Sequence, residues 1–125
     1  MMTASWSEPK PPPLPERVRE VRLPAGAEAA FRDALVASLD GLPLCDRNLL
    51  RFHYFHGLGA DQLAEMFASP RAAVLRQLGR IRERMLRDVR RGLAARLALD
   101  RPELDRLLDL ARDRFDVAIT RVLRG

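Results

Sequence analysis

Arginine side chains are concentrated in one short stretch of this sequence. Eight arginines lie between Arg71 and Arg91 with only two acidic residues, whereas the whole chain has a net charge of +5. A guanidinium group forms paired hydrogen bonds with phosphate and with guanine. A GC-rich genome also produces a general arginine bias, so the position of these residues is more informative than their number. The clustering indicates that most of the positive field lies on one segment.

Two histidines are the other residues whose spacing could support chemistry. His53 and His56 are three residues apart, a spacing that allows a helix to chelate a metal ion. Further ligands are not evident beyond Cys45 and Asp46, so a position on the helix surface or in packing is the simpler interpretation. The single cysteine cannot form an internal disulfide, and we expect it to pack.

Catalytic motifs are not found in the sequence. It contains no glycine-rich phosphate loop and no nucleophile elbow. Aspartates and arginines alternate near the C-terminus, a pattern typical of a solvated helix face rather than of an acid–base pair. We therefore expect a protein that is not an enzyme and needs no cofactor.

The elements that position the arginines are predicted to be helices. A chain of 125 residues with 47% hydrophobic residues has room for one domain. Apolar residues recur at helical spacing after Gly26, without any alternating segment, so the fold class is all-α. Apolar runs long enough to span a bilayer are absent, and the N-terminus does not read as a signal peptide, which predicts a cytoplasmic protein.

The first 24 residues differ in composition from the rest. They contain six of the nine prolines and few large apolar side chains, which predicts a flexible, Pro-rich tail over residues 1–24. Two PxxP spacings, Pro9/Pro12 and Pro12/Pro15, could instead serve a binding partner.

Three short helices are predicted next. The first contains Phe31, Leu35 and Leu39 and ends near Gly41, and the second follows Pro43 with Leu49, Phe52 and Phe55 inward. The third covers Asp61 to Phe67, with Leu63, Met66 and Phe67 facing the core.

A long fourth helix and a final helix complete the prediction. Ser69 is expected to cap the fourth helix with Pro70 in its first position, its buried stripe being Val74, Leu78, Ile81 and Met85. Arg76, Arg80, Glu83 and Arg87 then fall on the opposite side. Asp100 and Glu103 form a capping box that opens one final helix, whose apolar stripe is Leu104, Leu108, Ala111, Phe115, Ala118 and Val122.

The third and fourth helices, separated by the short turn Ala68-Ser69, have the layout of a helix-turn-helix motif. In that motif the second helix lies in the DNA major groove with its first turns against the base edges. The predicted DNA-binding residues are Arg71, Ala72, Ala73, Arg76, Gln77, Arg80 and Arg84. Arg76 is the strongest candidate, and Arg82, Arg84, Arg87, Arg90 and Arg91 are expected to neutralise phosphate or to remain solvated.

The segment from Phe31 to Leu93 resembles region four of bacterial RNA polymerase sigma factors. The residues that fit the family pattern are Leu42, Pro43, Arg47, Gly57, Leu58, Leu63, Ala64, Glu65 and Val74. Sigma factors with Arg-Ala-Thr-Val-Ala-Arg-Trp-Leu in the fourth helix are similar to Arg71–Leu78, and some of them end in a helix similar to Arg114–Leu123.

This resemblance implies binding to double-stranded promoter DNA at the −35 element and docking on the β-flap of RNA polymerase core. The sequence departs from the family at Ala68, Ser69 and Ala73, where glycine, an aliphatic residue and threonine are usual. It also has nothing similar to the region that binds the polymerase clamp and melts the −10 element, which implies a separate sigma region-two polypeptide as a further partner, or a fragment. The alternative function is a protein-interaction module that binds polymerase or a sigma partner without reading DNA.

The sequence therefore divides into three parts: the tail at 1–24, a sigma-region-four-like domain at 25–98 and an amphipathic C-terminal helix at 99–125. The stripe of the last helix is too apolar to remain exposed. We expect it to pack on the domain itself, or to pair with a second copy or with polymerase.

Overall fold

A computed structural model describes residues 23–125, and the prediction of a flexible tail falls mainly on residues 1–22, outside this range. Within residues 23–125 all regular structure is helical, which confirms the all-α fold class. The helices are α1 (Ala27–Asp40), α2 (Leu44–Leu50), α3 (Ala60–Phe67), α4 (Arg71–Arg96), α5 (Arg101–Asp113) and α6 (Phe115–Arg124).

Helix α4 is the central element of the fold. Val74, Leu78, Ile81 and Met85 are buried on one side of it, as predicted, and Leu86, Val89 and Leu93 extend this side toward its C-terminal end. Deep burial of such side chains is the main favourable term for a domain of this size. The same periodicity places the opposite side of α4 in solvent.

Helix α1 packs closely along the second half of α4. A Cβ atom built at Gly92 would lie 3.0 Å from the Cβ of Ala34, so glycine is needed for this close approach. One turn away, the buried Ser38 hydroxyl donates a hydrogen bond of 2.6 Å to Asp88 Oδ2. The two helices are therefore fixed by both a small-residue contact and a polar contact.

Helix α2 continues into a π-helical turn over Arg51–Phe55. The N–H of His56 bonds to the carbonyl of Arg51 five residues earlier, which adds one residue to the turn. Within this turn Phe52 is half-buried, whereas Phe55 is 42% exposed. The prediction that Phe55 lies in the buried stripe is therefore wrong.

Helix α3 buries fewer apolar side chains than its sequence suggests. Leu63 is fully buried, but Met66 is 50% exposed and Phe67 is 41% exposed. The prediction that these last two residues face the core is wrong, because eight residues offer one narrow stripe to α4 and the π-helical turn. The ring of Phe67 instead lies edge-on to Phe52 at the surface, with ring centroids 6.1 Å apart.

The C-terminal segment forms two helices, α5 and α6, rather than the single helix predicted. The break is at Arg114, whose backbone angles (φ −104°, ψ 8°) leave the helical region. The capping box predicted at the start of α5 is present, with Glu103 N–H donating to Asp100 Oδ1 at 2.8 Å and Asp100 N–H to Glu103 Oε1 at 3.0 Å.

The apolar face of α5 and α6 belongs to the same core as α4. Leu104, Ala111 and Phe115 are buried as expected, whereas Leu108, Ala118 and Val122 are only partly buried. The break at Arg114 turns Ile119 into the core, and Leu107 joins it from α5. Helix α5 packs on α4, and α6 packs on α1 and the π-helical turn, so the domain itself covers this face. None of the helices described here is long and apolar enough to cross a bilayer.

Tyr54 links the π-helical turn to α6. Its hydroxyl donates a hydrogen bond of 2.8 Å to Asp116 Oδ1, and its ring lies edge-on to that of Phe115. Burial, the hydrogen bond to Asp116 and the charge of that carboxylate raise the pKa of Tyr54 to about 12, against a smaller opposing effect of Arg82. The protonated hydroxyl is thus stabilised by the folded state.

We expect this contact to make the domain unstable in alkali. The pKa of tyrosine in an unfolded chain is about 10. The stabilisation is therefore complete below about pH 10 and is lost as the pH rises toward about 12. Tyr54 is the only tyrosine, so its ionisation can be followed by absorbance near 295 nm in the folded protein and in urea. Asp116→Asn should move the folded midpoint down, and equal midpoints in the two states would contradict the proposed contact.

Candidate nucleic-acid interface

The turn between α3 and α4 is short and well defined. Ala68 ends α3 in the left-handed region (φ 52°, ψ 46°), and the N–H of Ser69 bonds to the Ala64 carbonyl at 2.9 Å. These features form a Schellman motif, which reverses the chain direction without a glycine. An alanine in this region costs about 1 kcal/mol relative to glycine. The alanine at position 68 is thus accommodated with the turn intact.

The N-terminus of α4 differs from the prediction. The cap is Pro70, in an extended conformation, and its carbonyl accepts the N–H groups of Ala73 and Val74. Ser69 does not cap α4, because its hydroxyl is directed back to the carbonyl of Phe67 at 3.3 Å. Arg71 is the first residue of the helix, and its Nε lies 2.9 Å from Asp61 Oδ1 across the motif. Both side chains of this pair are largely exposed, so it adds little stability.

The remaining predicted contact residues of the first turns are accessible to different degrees. Ala72 is exposed, and Ala73 is half-buried against the rest of the motif. Arg76 is exposed on the side of α4 opposite to Val74 and Leu78, as the helical spacing predicts.

The side chain of Gln77 connects Asp46 and Arg80 through hydrogen bonds that were not predicted from the sequence. Its Nε2 donates to Asp46 Oδ1 of α2 at 2.8 Å, and its Oε1 accepts from Arg80 Nη2 at 2.5 Å. Both ends of the amide are therefore engaged within the protein. A glutamine that reads adenine in paired fashion uses the same two atoms, so in this arrangement Gln77 positions Arg80.

The arginines of the second half of α4 are distributed between protein contacts and solvent. Arg84 donates to the carbonyl of Gly41 at 3.2 Å, and Arg90 lies 3.4 Å from Asp105 of α5. Arg91 pairs with Asp88 on the same helix. Three of the predicted phosphate contacts thus have partners at the α1–α2 corner, on α4 itself and on α5.

Four exposed arginines surround a shallow, open depression on the outer side of α4, and we call this surface the arginine face. It consists of Arg76, Arg80, Arg82 and Arg87, with Gly79 and Glu83 completing the lining. Salt bridges to these four arginines do not occur among the described residues. Their charges are therefore not neutralised by a carboxylate of the described residues, although Arg80 donates to Gln77 and Arg82 approaches Tyr54.

The one carboxylate in this lining is held by another helix. Arg112 of α5 approaches Glu83 with both terminal nitrogens, at 2.6 and 3.4 Å. Hydrogen bonding from Arg112 lowers the pKa of Glu83, so the carboxylate stays ionised and directed toward α5. Sequence reasoning treated the charges near the C-terminus as a solvated face, whereas Asp105, Arg112 and Asp116 each reach α4 or the π-helical turn.

The histidines and the cysteine have ordinary environments. The Nδ1 of His53 lies 2.8 Å from the carbonyl of Leu58 and fastens the loop before α3. Cys45 is exposed in the first turn of α2 rather than packed, contrary to expectation. Within residues 23–125 no group of three potential metal ligands occurs.

A second cavity lies far from the arginine face. It measures about 190 Å³, is mainly apolar and is located between the start of α1 and the facing sides of α4 and α5, with Phe31, Leu93 and Leu107 in its lining. It contains none of the predicted DNA-binding residues.

Comparison with known proteins gives no match to a protein-family model, to a curated protein or to a solved structure.

Proposed function

We propose that this protein binds double-stranded DNA through a helix-turn-helix motif, with α4 in the major groove, and acts as a sigma-factor-like component of transcription initiation. The observation on which the proposal rests is the arginine face: four exposed guanidinium groups on the outer side of the second motif helix. Such a surface fits the phosphates and guanine edges of a duplex.

The arrangement also bears on the alternative function. A module that only binds another protein needs no exposed arginine face, and α5 could have covered this face by folding over it. Instead α5 packs on α4, and its Arg112 pairs with Glu83, the carboxylate in the lining of this face. This favours DNA over the protein-interaction module, although polymerase core at its β-flap and a sigma region-two polypeptide remain part of the proposal.

The roles of the arginines follow from their positions. Arg76 lies within two turns of the start of α4 and is proposed to contact a base edge, together with Arg71 and with Arg80, which Gln77 orients. Arg82 and Arg87 lie further along α4 and are proposed to contact phosphate. The proposal requires neither catalysis nor a cofactor, and it places the protein in the cytoplasm.

Replacing Arg76 tests this assignment. We expect Arg76→Ala to weaken binding to a preferred site by about 1–3 kcal/mol and to relax the preference at one base position. The measurement is selection from a randomised duplex, followed by titration of the selected site.

Arg90→Ala provides the matched control on the same helix. Arg90 lies beside Asp105, so its removal should leave both affinity and sequence preference nearly unchanged. Equal losses for the two variants across all sequences would contradict the base-reading role of Arg76.

A further inference from the structure

Two glycines, Gly79 and Gly92, lie within the continuous 26-residue helix α4. Glycine disfavours a helix interior relative to every residue except proline, so each glycine calls for a physical reason. At Gly92 the reason is internal, because a Cβ atom would lie 3.0 Å from Ala34. At Gly79 nothing beyond the adjacent residues and the local helix backbone lies within 4 Å of the added Cβ, and the backbone has an ordinary helical conformation.

Gly79 lies on the arginine face and lines the same depression as Arg76, Arg80 and Glu83. Without a Cβ at this position, the helix backbone itself forms the floor of the depression. Since the packing of the domain does not require glycine here, the open floor is available to a molecule outside the domain.

The distance from Arg71 to Gly79 along α4 indicates which part of the duplex would contact the backbone at Gly79. Gly79 is eight residues from Arg71, or about 12 Å along the helix axis. The major groove of B-DNA is about 12 Å wide. A helix whose first turns lie across the groove therefore reaches the sugar-phosphate backbone at the edge of the groove near Gly79.

We infer that one strand of the DNA backbone crosses α4 at Gly79, with its phosphate held by the surrounding arginines. The missing side chain lets the strand approach the helix closely, and Arg82 and Arg87, which line the same depression, supply positive charge. This inference rests on the proposed function and adds the point of closest approach between protein and duplex.

Side chains added at Gly79 test this geometry. Gly79→Ala and Gly79→Leu should fold with an unchanged or higher Tm, because both residues favour a helix and the added Cβ meets only adjacent residues and the local helix backbone. Binding of a random-sequence duplex, followed by fluorescence anisotropy, should become about tenfold weaker for Gly79→Leu and less so for Gly79→Ala. The slope of log affinity against log salt should also fall by about 0.9 for Gly79→Leu, since one phosphate contact is lost.

Ala95→Leu is the matched control, because Ala95 is an exposed position on the same helix four turns away. If Gly79→Leu and Ala95→Leu bind DNA equally well while Arg76→Ala is weakened, the inference at Gly79 is wrong and the proposed function stands. If the unmodified protein shows no salt-dependent DNA binding, both are wrong. If Gly79→Leu keeps its DNA affinity but loses binding to purified polymerase core, the open floor serves a protein and the inference is likewise overturned.

Discussion

Phe115→Ala is expected to destabilise the domain by about 3–5 kcal/mol. The ring of Phe115 is only 1% exposed and lies where α5 ends and α6 begins, edge-on to Tyr54 with ring centroids 6.3 Å apart. Its truncation would leave a cavity among α5, α6 and the π-helical turn. For a domain whose total stability is about 5–15 kcal/mol, this is a large fraction.

Urea denaturation gives the free energy of unfolding for this comparison. Val117→Ala is the matched control, since Val117 is two residues further along α6 and 59% exposed, and we expect its effect to stay within about 0.5 kcal/mol. Phe115→Leu retains part of the buried volume and gives a measurable variant if the alanine variant does not fold. Similar losses for Phe115→Ala and Val117→Ala would show that the C-terminal helices are not part of the core.

The affinity for duplex DNA is expected to fall about 12-fold between 50 and 200 mM salt. This value follows from Arg82 and Arg87, the two arginines of the arginine face that are proposed to contact phosphate, each contributing about −0.9 to the logarithmic salt slope. Neutral contacts do not release counterions, so the slope reports on the arginines specifically.

Single variants assign this slope to the arginine face. Arg87→Ala should reduce its magnitude by about 0.9, whereas Arg106→Ala, which removes an exposed arginine of α5, should leave it unchanged. The measurement is a titration of a labelled duplex at several salt concentrations. A slope near zero, or equal changes for the two variants, would exclude the arginine face as the phosphate-binding surface.

Local features of the sequence determined much of this structure. The spacing of Val74, Leu78 and Ile81 identified the buried side of α4, and the opposite side followed from helical geometry. The capping box at Asp100 was also predicted, because its hydrogen bonds connect residues three positions apart. The position of Arg76 on the outer surface was also predictable from local sequence, since it depends only on helical periodicity.

Tertiary structure decided which of these residues are available to a partner. The contacts of Gln77 with Asp46 and of Tyr54 with Asp116 connect residues 31 and 62 positions apart, and no local pattern encodes such pairs. The π-helical turn and the break at Arg114 were likewise not predicted from local spacing. The same holds for the two glycines of α4, because only the tertiary structure shows that Gly92 lies against Ala34 and that Gly79 faces open space.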